Sequence, residues 1–205
     1  MKQIEKKATT ATRGRPSRRP QIIAAAEKVI RTRGLASATT KAIAAEVGCS
    51  EGALYVHFKS RLQLLLAVLE EILPDMLVPL REVEQSVGRA TPQENLERAL
   101  LAIFAFHERI VPLICALFSD LELLDEYRKS LVAQNKGPHG AIARLRKYVK
   151  AEQKLGRIGK DVDAELAATT LMANSFFRSF VEQFLGHSEP FEPFCKRLVA
   201  RVIAH

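Results

Sequence analysis

From Pro20 onward, apolar residues recur at the three- and four-residue spacing of a single helix face. Ile22, Ile23, Ala26, Val29 and Ile30 make the first such stripe, and Gly34 stops it. Thr39 and Thr40 offer hydroxyl caps for a short helix through Val47, with Ile43, Ala44 and Val47 facing inward. Gly48 follows in the place where a left-handed residue closes a helix. Ser50 caps a third short helix, Glu51 to His57, whose inward anchor is Leu54, and another apolar helix begins at about Arg61. Two short helices joined by a Gly-Cys-Ser turn have the anatomy of a helix-turn-helix unit. Gly52 and Ala53 keep the third helix small-sided, so its backbone can approach a groove closely.

The pattern stays helical to the end of the chain. Leu62 to Leu73 predicts one segment, bent or broken at Pro74 and Pro79. Thr91 or Pro92 starts a helix through His107, and Ile110 to Phe118 and Asp120 to about Ala133 read as two more. Lys136 to Gly140 reads as a loop, followed by helices over Ala141 to Leu155, Asp161 to Leu185 and Glu189 to His205. No strand alternation and no fixed-period repeat is visible. The predicted fold class is all-α.

Charge divides the chain more sharply than hydropathy does. Lys2, Lys6, Lys7, Arg13, Arg15, Arg18 and Arg19 face Glu5 alone in the first 19 residues, a net +6. Lys28, Arg31, Arg33, Lys41 and Lys59 against Glu27, Glu46 and Glu51 add +2 by residue 59, which accounts for the whole formal charge of +8. A basic head on a neutral body points to a polyanion, and double-stranded DNA is the leading candidate. Residues 1–19 read by composition as a disordered basic arm, 20–60 as the head and 61–205 as the body.

Other classes are disfavoured. Cys49, Cys115 and Cys195 lie far apart with no CxxC pair, against a zinc site or a disulfide framework. The N-terminus lacks the apolar core of a secretory signal, and no apolar run approaches the ~18 residues of a membrane span; the longest, Ile110 to Phe118, contains a proline. The expectation is a reduced, cytoplasmic, nucleoid-associated protein without a membrane partner. The five histidines are scattered, and neither a phosphate loop nor a nucleophile elbow occurs, so no enzyme, cofactor or metal is expected.

From Gly34 through TTKAIAAEVGCSEGALYVHFKSR to Leu65 the sequence resembles the TetR family of bacterial transcriptional regulators. The agreeing positions are Gly34, Thr40, Ile43, Ala44, Gly48, Ser50, Gly52, Leu54, Tyr55, Phe58 and Lys59. Cys49, Arg61 and Leu62 depart from the family pattern without removing a fold-defining residue. The resemblance implies an N-terminal three-helix DNA-binding domain followed by a larger helical domain that binds an effector and dimerises. It further implies a homodimer joined through Asp161–Leu185 and Glu189–His205, seated on a palindromic operator. Most often such a dimer represses and is released by a small, apolar effector.

Physical chemistry and the family pattern converge on residues Thr39 to Phe58 for DNA contact. Helix starts at Thr39, Thr40 and Ser50 present free N–H groups to phosphate, with Lys41 beside the first. Tyr55, His57 and Lys59 can donate to phosphate, while Glu51, Gly52 and Ala53 are candidates for base edges. Arg13-Gly14-Arg15-Pro16 resembles the Gly-Arg-Pro core of a minor-groove hook, with Arg13 and Arg15 as its cations. In the body, Phe104, Phe106, His107, Cys115, Phe118, Phe176, Phe177 and Phe180 could line an apolar pocket, with polar anchors from Asn174, Ser175 and Arg178. His107 is expected to be a partly exposed helix residue, and Cys49 a valine-sized, partly buried thiol. The alternatives are an architectural protein of A·T-rich DNA and a regulator controlled by a protein partner.

Overall fold

The computed structural model describes residues 17–134, 137, 139–187 and 189–204. These residues form ten α-helices and no strand. The head holds α1 (Arg19–Arg33), a 3₁₀ turn at Leu35–Ser37, α2 (Thr40–Val47) and α3 (Glu51–His57). The body follows with α4 (Arg61–Ile72), α5 (Pro74–Gln85), α6 (Pro92–Phe118), α7 (Leu121–Ala133), α8 (His139–Lys154), α9 (Ala164–Leu185) and α10 (Phe191–Ile203). The predicted all-α class and the order of short helices in the head therefore agree with the structure. Arg13 and Arg15 lie outside the described residues.

Each short head helix forms because its ends are chemically satisfied. Thr39 Oγ1 accepts from the Ala42 N–H at 3.1 Å, and Ser50 Oγ from the Ala53 N–H at 3.3 Å. Gly48, at φ 70°, closes α2 in the left-handed region that a side chain resists. Ile22, Ile23, Ala26 and Val29 of α1 pack with Ile43, Leu54 and Phe58. That apolar cluster continues without a gap through α4 and α6, so head and body share one core.

Three expectations need correction. Thr91–His107 and Ile110–Phe118 are not separate helices; α6 runs unbroken for 27 residues with Pro112 inside it. Pro112 has no N–H for the Glu108 carbonyl four residues back. The Gln183 side-chain amide of α9 donates to that carbonyl at 2.7 Å, so the missing rung costs little. The second correction follows from the first. Among the described residues, α6 is one helix long and apolar enough to cross a membrane, contrary to the run-length reading. Half of that stretch is buried, because α6 is the central helix against which α1, α4, α5, α7, α9 and α10 pack. Third, His107 is buried rather than partly exposed.

Candidate nucleic-acid interface and interior cavity

The outer face of the head is built by turning Leu54 and Phe58 inward. Both are 1% exposed, and the Arg19 guanidinium stacks 5.1 Å above the Phe58 ring, tying the start of α1 to the end of α3. The Lys28 and Arg33 side chains hold Glu46 of α2 at 2.5 and 3.6 Å. With these faces fixed, Thr39, Lys41, Ser50, Glu51, Gly52, Tyr55 and Lys59 are exposed, and Thr40, Ala53 and His57 are half-buried. Cys49 is likewise half-buried in the turn between α2 and α3.

Two details alter the interface drawn from sequence. Thr40 Oγ1 donates to Glu51 Oε2 at 2.7 Å, locking the start of α2 to the start of α3. The Glu51 carboxylate thus has a partner within the protein before it meets any base. Val56 is 81% exposed on α3, more than Tyr55 at 54%, and sequence reasoning passed over it. Helix geometry could have found it: two residues beyond the inward Leu54, a side chain turns to the opposite face. An exposed valine there is suited to a thymine methyl.

An apolar cavity lies in the body, where α4, α5, α6, α7 and α9 meet. Its volume is about 330 Å³, within the range of small-molecule sites. Leu69, Met76, Phe106, His107, Ile110 and Met172 are its buried lining, while Glu70 and Gln134 are exposed at its edge. Of the expected pocket residues, His107, Phe106 and Phe176 line it. Phe104 instead stacks on Phe191 at 3.9 Å, and Arg178 pairs with Glu182 and Glu189. Asn174 donates to the Thr170 carbonyl, and Cys115, Phe118, Phe177 and Phe180 are exposed. His107 Nδ1 lies 2.9 Å from Ser175 Oγ, and burial pushes its pKa down to about 4, so the imidazole is neutral at physiological pH.

Head and cavity are mechanically joined. Helix α4 starts after a three-residue connection from α3 and supplies Leu66, Leu69 and Glu70 to the cavity wall. Its first residue, Arg61, donates to the Leu35 carbonyl in the head and to Asp120 at the start of α7. Arg109 of α6 reaches Glu27 of α1 at 2.9 Å and also Asp75 of α5. Both guanidiniums therefore bind the head to helices that wall the cavity.

Comparison with known proteins places this geometry. Residues 22–68 match the family model described as bacterial regulatory proteins, tetR family. The chain is 29% identical to the HTH-type transcriptional regulator TtgR of Pseudomonas putida, over 76% of this chain and 75% of that one. It is 31% identical to the uncharacterized HTH-type transcriptional regulator YerO of Bacillus subtilis over 42% of this chain, but spans only 30% of YerO's length. Among solved structures, the transcriptional regulator FadR from Bacillus subtilis, in complex with stearoyl-CoA, superposes with a TM-score of 0.66. That likeness, at 19% identity over 90% of this chain and 97% of FadR, concerns the fold. The family match runs from α1 through α2 and α3 into α4, the helix that reaches the cavity, so the head and the start of the body are similar to bacterial regulatory proteins of the tetR family.

Proposed function

We propose that the chain is a homodimeric repressor that seats two copies of α3 in successive major grooves of a palindromic operator. A small effector in the body cavity would release it. The supporting observation is the placement of α4, which follows directly on the reading helix and also walls the cavity. A ligand that moves α4 moves the head with it, and two heads must match a groove spacing of about 34 Å to stay bound. Lys41 and Lys59 would contact phosphate, Tyr55 would position the helix, and Val56, Gly52 and Ala53 would meet base edges. Regulation by exclusion of polymerase follows from such seating.

The test is selection of bound DNA from a library, repeated with Tyr55→Ala and with residues 1–16 removed. The expected result is a palindromic consensus whose affinity falls about tenfold to a hundredfold with Tyr55→Ala, the size of a lost positioning or base contact. Removing the basic arm should weaken binding and flatten its dependence on salt while leaving the consensus intact, since phosphate contacts carry affinity without sequence. Broad A·T-rich enrichment that survives Tyr55→Ala would replace this reading with an architectural one.

The dimer is proposed through α9 and α10. Leu166, Phe177, Phe180 and Phe184 form one apolar stripe along α9, with Phe177 64% and Phe184 79% exposed. Phe177→Asp combined with Phe184→Asp should convert a dimer into a monomer in sedimentation velocity, and the monomer should lose cooperative operator binding. A variant that sediments as the parent does would move the interface elsewhere.

A further inference from the structure

Resting on the reading of the body as an effector domain, the charges around the cavity narrow what that effector can be. Among the described lining residues there is no lysine or arginine. The one histidine, His107, is buried against Ser175 and Phe176 and stays uncharged. Among the described lining residues the only formal charge is the carboxylate of Glu70, which is exposed and pairs with no described cation. Tyr127 and Ser130, both half-buried, and exposed Gln134 add neutral polar groups to the lining as a rim, and the buried floor of Leu69, Met76, Phe106, Ile110 and Met172 is apolar.

These features do different things to different head groups. A carboxylate or phosphate entering the cavity would lose water, find no cation among the described lining residues and lie near a like charge. A cationic head would keep contact with solvent at the edge and gain the Glu70 carboxylate, while its chain fills the apolar floor. An uncharged polar head would gain the neutral rim alone. We propose that the cavity binds a mostly apolar amphiphile with a cationic head, tolerates an uncharged one and refuses an anionic one, with Glu70 as the residue that sets this order.

Three probes of equal chain length isolate the head group: decyltrimethylammonium, decanol and decanoate. Each is titrated calorimetrically into the full chain below its aggregation concentration. The expected order is cation, then alcohol, then decanoate, with the cation at least tenfold tighter than decanoate; a partly exposed charge pair supports a factor of that size. Glu70→Gln should shrink the gap between cation and alcohol to about threefold or less, and Glu70→Lys should favour decanoate. Ser130→Trp, which plugs the half-buried rim, should abolish binding of all three and so place them in this cavity.

Decanoate binding as tight as the cation, an order unchanged by Glu70→Gln, or no binding by any probe would each overturn the proposal. So would tight decanoate binding removed by Lys136→Ala, since Lys136 adjoins the lining residue Gly137 in sequence. The DNA selection described above is run on the same preparations. Probe failure with operator binding intact sinks this inference alone, whereas loss of operator binding in the parent chain sinks the repressor reading and leaves the head-group order standing.

Discussion

Arg157→Met should destabilise the chain by about 3 to 5 kcal/mol in urea unfolding, the cost of stranding a buried charge. Its partner Glu152 is completely buried on α8, and Arg157 Nη1 sits 3.4 Å from Glu152 Oε2. The other Glu152 oxygen accepts from the Gly88 N–H at 3.1 Å, and the Tyr148 hydroxyl is shared between Glu152 and Asn95. Arg157 also donates to the carbonyls of Arg89 and Ala90, so one guanidinium pins the turn before α6 to the end of α8. Burial, more than these contacts, pushes the Tyr148 phenol up to about 12, so it remains a neutral donor throughout. Glu152→Gln combined with Arg157→Met should recover most of the loss, because the amide keeps an acceptor for Gly88 while the charge is gone. A single Arg157→Met variant within about 1 kcal/mol of the parent would mean that water reaches Glu152 and that the pair contributes little.

The second large effect is on acid stability and belongs to His107. Its folded-state pKa of about 4 lies below the ordinary value of 6.5 because burial disfavours the imidazolium. Between those two values the unfolded chain binds the extra proton and the folded chain does not, so protonation draws the chain toward unfolding. This contribution is at its full value above about pH 6.5, declines as the pH falls toward 4 and levels off below that. At about 1.4 kcal/mol per pKa unit the whole span is roughly 3 kcal/mol. His107→Asn, which keeps a polar group near Ser175 without a titrating ring, should remove that part of the slope. The measurement is the difference between parent and variant in unfolding free energy from pH 7 to pH 4, which cancels the carboxylates common to both. Equal slopes would show that His107 is hydrated in the folded chain.

Whether an expectation survived depended on how local its cause is. The caps at Thr39 and Ser50 and the left-handed turn at Gly48 depend on neighbours within four residues, and the helices of the head lie where those residues put them. The face of α3 was half legible: Leu54 and Tyr55 divide it, yet Val56 was passed over because attention to hydrogen-bonding side chains hides an exposed valine. The cavity was hardly legible, since five helices far apart in the chain build it. Phe104, Phe106 and His107 are consecutive or nearly so, but helical twist sends Phe104 to Phe191 while the other two face the cavity. Burial of His107 likewise depends on Ser175, 68 residues away. Arg61, seen from sequence only as a departure from the family pattern, proves to be a strut between the head and α7.

Pro112 gives α6 a compliance that its length alone would deny it. A helix bends most cheaply where a rung of its ladder is missing, and here the substitute is a side-chain amide reaching over from α9. Ile110 and Ile114 flank that soft point and both border the cavity, so an occupant of the proposed kind would push on the rod where it yields most. The helical segment beyond it is a lever arm about 9 Å long at 1.5 Å per residue, ending at Phe118, two residues before Asp120. Asp120 grips Arg61, and Arg61 grips Leu35 in the turn before α2. Flexure at one proline is thus geared to the tilt of the head, and Gln183 sets the stiffness of the spring.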